Sequence, residues 1–283
     1  MKHRGVLFLL FSLILLTITW YAVSTLEKEE RKTKSFKIFF ENYPWIKEWV
    51  EEIPPNSTIM AWWDYGKYFE KLGARSVVKA PSKSLLISVA CIRLKTCKES
   101  DLEPLEPERK IKDVARFFLT SNESEAVCIA KKYNATYVFT SFIELSKVGW
   151  YYFALTEDRN FYIRNIHIIP CELKNISNTY ISSCIEPRLY VKKIRSKYIA
   201  SIEDGEKVEL KTIYLKDNKL EVYNPENKVN LTVIIQNSRR AFLVPKNLEM
   251  SILVRLIVLN GYALQHFEKI HEKNGTFFYK LSY

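Results

Sequence analysis

Apolar residues at Phe36, Phe39, Phe40, Tyr43, Trp45, Ile46, Trp49 and Val50 recur at helical spacing, which predicts a helix over 36–52 stopped by Pro54-Pro55. Ahead of it, residues 5–23 form an almost unbroken apolar run ending in Trp20-Tyr21-Ala22-Val23. At about 1.5 Å per residue such a helix just crosses a hydrocarbon core of about 30 Å, with Trp20 and Tyr21 at the interface. Asn56-Ser57-Thr58 is a turn. Ile59-Met60-Ala61-Trp62-Trp63 then predicts a short buried strand, followed by a helical turn or two over 67–72. Helices are expected over 111–119 and from Ser121-Asn122-Glu123-Ser124 to Tyr133, and a buried strand over 135–140. Strand, helix and strand in that order imply an α/β layer with a partly parallel sheet.

From Asn160 the period changes. Short β-rich runs at 161–163, 166–169, 189–191, 208–215, 220–223 and 229–235 alternate with turn residues such as Asn224-Pro225-Glu226-Asn227. They predict a β-rich subdomain, a small barrel or sandwich. A helix over 250–259 and a hairpin of 267–270 with 276–281 close the chain. The expected organisation is therefore a mixed α/β (α+β) fold. It comprises a transmembrane anchor (1–26), an α/β core (27–159), the β-rich subdomain (160–246), and a helix and hairpin returning to the core (247–283).

Composition mainly removes alternatives. The 7 glycines form no phosphate-cradling loop, and the chain has no G-x-S-x-G, H-E-x-x-H or C-x-x-C sequence. His3, His167, His266 and His271 are scattered, without metal-ligand spacing. A net charge of +11 could suit nucleic acid, but an anchored domain meets anionic lipid headgroups or a lipid-linked phosphate instead, and dispersed solvated lysines are the simplest reading. We expect no nucleic-acid partner.

Lys2 and Arg4 precede the apolar run while Lys28, Arg31, Lys32, Lys34 and Lys37 follow it, a count that would keep the domain in the cytoplasm. Against that, Asn-x-Ser/Thr triplets begin at Asn56, Asn122, Asn134, Asn175, Asn230 and Asn274, and large domains translocate largely regardless of flanking charge. The expectation is a single-pass protein with its domain on the extracytoplasmic side; a signal peptide cleaved near Ala22-Val23-Ser24 is the alternative. On that side Cys91 with Cys97, and Cys171 with Cys184, make short disulfide loops, leaving Cys128 as a buried free thiol.

The chemistry concentrates in Trp62-Trp63-Asp64-Tyr65-Gly66. Adjacent tryptophans at a strand end face opposite ways, so one lines a surface beside the Asp64 carboxylate. An apolar wall with an acceptor suits a small ligand bearing a methyl and a hydroxyl. An aromatic pair that merely packs is the alternative. In this pentapeptide, in Val114-Ala115-Arg116-Phe117-Phe118-Leu119 ahead of a Tyr137-Val138 strand, and in Ser251-Ile252-Leu253-Val254-Arg255-Leu256 followed by Gly261-Tyr262-Ala263-Leu264, the chain resembles the C-terminal, non-cytoplasmic domain of oligosaccharyltransferase catalytic subunits of the archaeal AglB type.

That resemblance implies that Trp62, Trp63 and Asp64 bind the +2 Ser or Thr of an acceptor sequon, with Tyr65 and Gly66 supporting them. The family's second motif, D-x-x-K-x-x-x-M/I, has its best candidate in Glu144, Lys147 and Tyr151, departing at Glu144 and Tyr151. A Tyr151 ring would crowd the methyl site, and Glu144 with Lys147 could equally be a surface ion pair. In the family the catalytic carboxylates and a divalent metal (Mn or Mg) lie in a multi-spanning membrane half. With one expected span, this chain is expected to hold no cofactor and not to catalyse transfer alone. The implied partners are an acceptor polypeptide with Asn-x-Ser/Thr, a multi-spanning transferase subunit and the membrane. Two rivals remain: one half of a split dolichyl-phosphooligosaccharide-protein glycosyltransferase, or a non-enzymatic surface protein with a vestigial pocket.

Overall fold

The computed structural model describes residues 39, 41–87, 105–158 and 168–283, the last apart from 177–178, 183–188, 195–196, 205, 217–218, 225–228 and 237–239. The expected anchor lies outside the described residues, as do Cys91, Cys97 and Cys184. Among the described residues, no helix is long and apolar enough to cross a membrane.

The chain divides into two units, Met1–Ile53 and Pro54–Tyr283. In the first, α1 (Pro44–Glu51) buries Trp45, Ile46, Trp49 and Val50 along one stripe. Sequence periodicity predicts a longer helix, but Pro44 pushes the residue before it out of the α region. Tyr43 sits at φ −133, ψ 56, and the helix starts afresh with Pro44 in its first turn.

The second unit is built on a five-stranded sheet. Strands β1 (Thr58–Met60), β2 (Arg75–Ser76) and β3 (Ala135–Ser141) run parallel, and the hairpin of β13 (Phe267–Lys273) and β14 (Thr276–Leu281) adds antiparallel to β3. The order is β13-β14-β3-β1-β2. Helix α2 (Trp63–Lys71) joins β1 to β2. Between β2 and β3 run α3 (Lys83–Leu86), α4 (Glu108–Leu119) and α5 (Glu123–Lys132). Asn122 caps α5, accepting from the backbone N–H of Ser124 and Glu125 at 3.0 and 3.3 Å, as the sequence signal predicts. Cys128 is free, yet exposed rather than buried. Ala126, Val127, Ile129 and Ala130 take the inward positions of α5 and turn residue 128 outward.

After β3 come α6 (Ile143–Ser146) and α7 (Val148–Thr156). The chain then enters the expected β-rich region, which forms one nine-stranded sheet. Its order is β4 (Ile169–Glu172), β12 (Arg240–Pro245), β11 (Leu231–Gln236), β9 (Glu206–Lys216), β8 (Lys197–Asp204), β7 (Leu189–Ile194), β6 (Thr179–Ser182) and β5 (Lys174–Ile176), with β10 (Lys219–Tyr223) also on β9. Alternate residues such as Leu189 and Val191, Tyr198 and Ala200, and Val233 and Ile235 form its core with Cys171. Cys171 is disulfide-bonded. Because Cys128 is free, the partner is Cys91, Cys97 or Cys184, all outside the described residues.

The chain returns through α8 (Ile252–Ile257), buried on every side and capped by the Ser251 hydroxyl. Its Arg255 is 7% exposed and donates through Nε to Tyr262 O (3.2 Å) and through Nη2 to Ala263 O. Glu123, 3.5 Å from that guanidinium, accepts from the backbone N–H of Gln265 and His266 at 2.7 Å each. Glu123 therefore ties the start of α5 to the segment that leads into β13.

Candidate functional site

The WWDYG segment is not a strand end. β1 stops at Met60, Trp62 is the extended N-cap residue of α2 (φ −68, ψ 153), and Trp63 begins the helix. The two indoles still diverge, but for a helix-start reason. Trp62 is 2% exposed and points inward, while Trp63 is half-buried. Asp64 lies in the first turn, where the helix dipole favours a carboxylate. Gly66 is required by close approach: a Cβ there would sit 2.1 Å from Val78 O and 2.4 Å from Lys79 Cα, both backbone atoms.

β1 and β3 are parallel neighbours, so α2 and α6 both begin at the carboxyl end of the sheet, where open α/β sheets receive ligands. This brings together two segments about eighty residues apart. The Lys147 ammonium bonds Asp64 Oδ2 and, at 3.0 Å, Glu144 Oε1. Glu144 is 1% exposed. The Tyr65 hydroxyl donates to Glu144 Oε1 at 2.8 Å and lies 3.0 Å from Ser141 Oγ, while the Tyr151 hydroxyl donates to Glu144 Oε2. A buried carboxylate is costly unless such donors surround it.

The aromatic rings complete the wall. Trp62 lies 4.2 Å from Tyr151 between centroids, Tyr151 makes an edge contact with Phe118 at 5.5 Å, and Tyr65 meets Phe139 edge-on at 4.8 Å. Lys147 Nζ stands 5.1 Å from the Tyr65 ring centroid.

Two expectations change here. Glu144 and Lys147 are not a surface ion pair: one is buried and the other largely so, and they belong to one network with Asp64. Nor does Tyr151 crowd a surface pocket, because it is fully buried against Trp62. Glu144 and Tyr151 answer each other: the Tyr151 hydroxyl meets the buried Glu144 carboxylate. Ser141 joins the network without any sequence signal of its own; only the register of β3 puts it there.

Burial alone would lower the Lys147 pKa, but Glu144 and then Asp64 outweigh it and hold the ammonium above its usual value. Burial, then the Glu144 charge, push both the Tyr65 and Tyr151 phenols well above the usual range, so both remain donors. One ammonium faces both carboxyl groups, and Asp64, with its side chain 30% exposed, is the one that meets solvent. The arrangement suits an incoming hydroxyl donor. Among the described residues, no group of three or more His, Cys, Asp or Glu could hold a metal ion.

No family model matches the chain, and no curated protein matches it in sequence. Among solved structures, the C-terminal globular domain of the oligosaccharyltransferase from Pyrococcus abyssi matches with a TM-score of 0.54 at 11% identity, covering 83% of this chain and 49% of that one. The PglB C-terminal domain of C. jejuni gives 0.49 at 9% identity over 84% of this chain and 98% of that chain. The C-terminal globular domain of an Archaeoglobus fulgidus oligosaccharyltransferase gives 0.36 at 13%, covering 84% and 94%. The chain thus shares the fold of an oligosaccharyltransferase C-terminal domain and spans about half the length of the Pyrococcus abyssi chain.

Proposed function

We propose that this chain is an acceptor-recognition domain of protein N-glycosylation, which seats the +2 Ser or Thr of an Asn-x-Ser/Thr sequon against Trp63 and Asp64. The observation that carries this reading is Asp64: a part-exposed carboxylate, held by Lys147 beside a half-buried indole at the carboxyl end of the sheet. The shared fold supports it. A sequon hydroxyl would donate to Asp64, a bond to a charged group worth about 1.5–3 kcal/mol. Burying the Thr methyl against Trp63 adds up to about 0.8 kcal/mol. Trp62, lying inward, acts as the floor that fixes Trp63 and Asp64.

In this reading the divalent metal (Mn or Mg) and the lipid-linked donor are handled by a multi-spanning transferase component, in the manner of a split enzyme. The apolar run at 5–23 tethers the domain on the extracytoplasmic side, near its acceptors.

Peptide titration followed by NMR tests the proposal. An Asn-x-Thr peptide should shift Trp63 and Asp64 resonances more strongly than an Asn-x-Ala control, and Asp64→Ala should erase that difference. Equal shifts for both peptides on the unaltered protein would defeat it, and a surface protein that keeps only the fold would then be the better account.

A further inference from the structure

We propose that the folded chain is itself a glycan acceptor at Asn56 and Asn134, and that its remaining described sequons are closed by the fold. Sequons are over-represented: six of sixteen asparagines begin an Asn-x-Ser/Thr triplet, none with Pro in the middle. With 35 Ser and Thr among 283 residues, random placement would give about two. Modification of a folded protein needs a free side-chain amide and a reachable +2 hydroxyl.

Asn56 and Asn134 meet both conditions. Each is exposed in a left-handed turn conformation, at φ 62 and φ 51, and neither side-chain amide is hydrogen-bonded among the described residues. Thr58 is half-buried and Thr136 exposed, with both hydroxyls unbonded there. The sequon beginning at Asn175 lies partly outside the described residues, and the other three fail in specific ways. The Asn122 side chain is occupied as the α5 cap. Thr232 is fully buried and donates to Glu249 Oε2 at 2.7 Å, which closes the Asn230 triplet. Thr276 is 2% exposed and bonds Lys273 O, which closes the Asn274 triplet.

Asn56 and Asn134 also share a location. Asn56 stands two residues ahead of β1 and Asn134 one ahead of β3, its parallel neighbour, where Thr58 pairs with Ala135. Two glycans would therefore stand side by side at the amino end of the sheet. The seven residues of β3 put them about 20 Å from Asp64 and Glu144 at the carboxyl end, so they would cover one pole and leave the candidate site open. Transfer forms the Asn Nδ2–C1 bond and breaks the C1–O bond to the phosphate of a lipid-phosphate-linked glycosyl donor. The phosphate leaves with the electron pair, and the amide gives up one proton. This inference does not depend on sequon binding by Trp63 and Asp64.

The test incubates the folded full chain with an active sequon-specific transferase and its lipid-phosphate-linked donor, and maps glycopeptides by mass spectrometry. Asn56 and Asn134 should be modified, with Asn122, Asn230 and Asn274 bare. Denatured chain should acquire glycan at those three as well. Thr136→Val should remove one glycan mass, from Asn134 alone, and Asn56→Asp, which tolerates the left-handed backbone, should remove the other. A bare Asn56 or Asn134 in folded protein would overturn the proposal, as would equal occupancy at Asn230 or Asn274.

Discussion

The Tyr151 ring underlies the Trp62 indole at a centroid distance of 4.2 Å, and its hydroxyl is bonded to the buried Glu144. One side chain therefore supports both the aromatic floor and the acidic network. Tyr151→Phe keeps the ring and removes one donor from a buried carboxylate, so we expect a loss of about 1–3 kcal/mol. Tyr151→Ile removes the ring as well and should cost about 3–5 kcal/mol. Denaturant unfolding of both variants measures the difference; equal losses would mean that the ring contact contributes nothing.

Among the described residues, Lys147 is the cation bonded to both Asp64 and Glu144. Lys147→Met leaves a buried carboxylate without its counter-charge and should destabilise by about 3–5 kcal/mol. Adding Glu144→Gln should recover part of that loss, because the orphaned charge is then gone. A double-mutant cycle reads the coupling. Additive losses would show that the two residues do not share one network.

The site should make the protein sensitive to alkali. The pKa values of Lys147, Tyr65 and Tyr151 are all raised in the folded state. A raised pKa contributes stability that is complete below the unfolded value and lost as pH rises through the folded one. With unfolded values near 10 for Tyr and about 10.4 for Lys, stability should fall from about pH 10 upward. Tyr151→Phe should flatten that decline, as followed by urea midpoints between pH 8 and 11. An unchanged slope would remove Tyr151 from the account.

Gly66→Ala should be among the most damaging single-methyl changes. The added carbon meets the Val78–Lys79 backbone, which cannot rotate aside as a side chain would. A cost of about 3 kcal/mol is expected. If the melting temperature were unaltered, the loop after β2 would have to stand farther from α2.

Cysteine chemistry offers an independent check. Under native conditions Cys128 should alkylate readily, while Cys171 should not. Non-reducing peptide mapping should link Cys171 to Cys184, a loop short enough to stabilise by roughly 3 kcal/mol in the chain-entropy model. A link from Cys171 to Cys91 or Cys97 would instead tie the β-rich sheet to the segment after α3.

Much of the architecture was legible in the sequence because it rests on local patterns. The Asn122 cap, the β3 run, the terminal hairpin and the β-rich region all carry short-range signals. What stayed hidden depends on register or tertiary contact. Nothing within Trp62-Trp63-Asp64 announces that the strand ends two residues earlier, since an apolar run of five reads equally well as strand or helix start. The sequence leaves the Glu144 environment open, because helical spacing between Glu144 and Lys147 fixes a shared face but not what covers it. Ser141 became visible only when β3 and α2 converged.

β14 lies along β3, pairing Thr276 with Ser141 and Lys280 with Tyr137. Without it, Tyr137, Val138, Phe139 and Thr140 would present unpaired N–H and C=O groups flanked by aromatic and β-branched side chains. Such an edge is a template for another chain's strand. The terminal hairpin thus guards against intermolecular strand pairing, and cleavage ahead of Phe267 should expose β3 and promote aggregation.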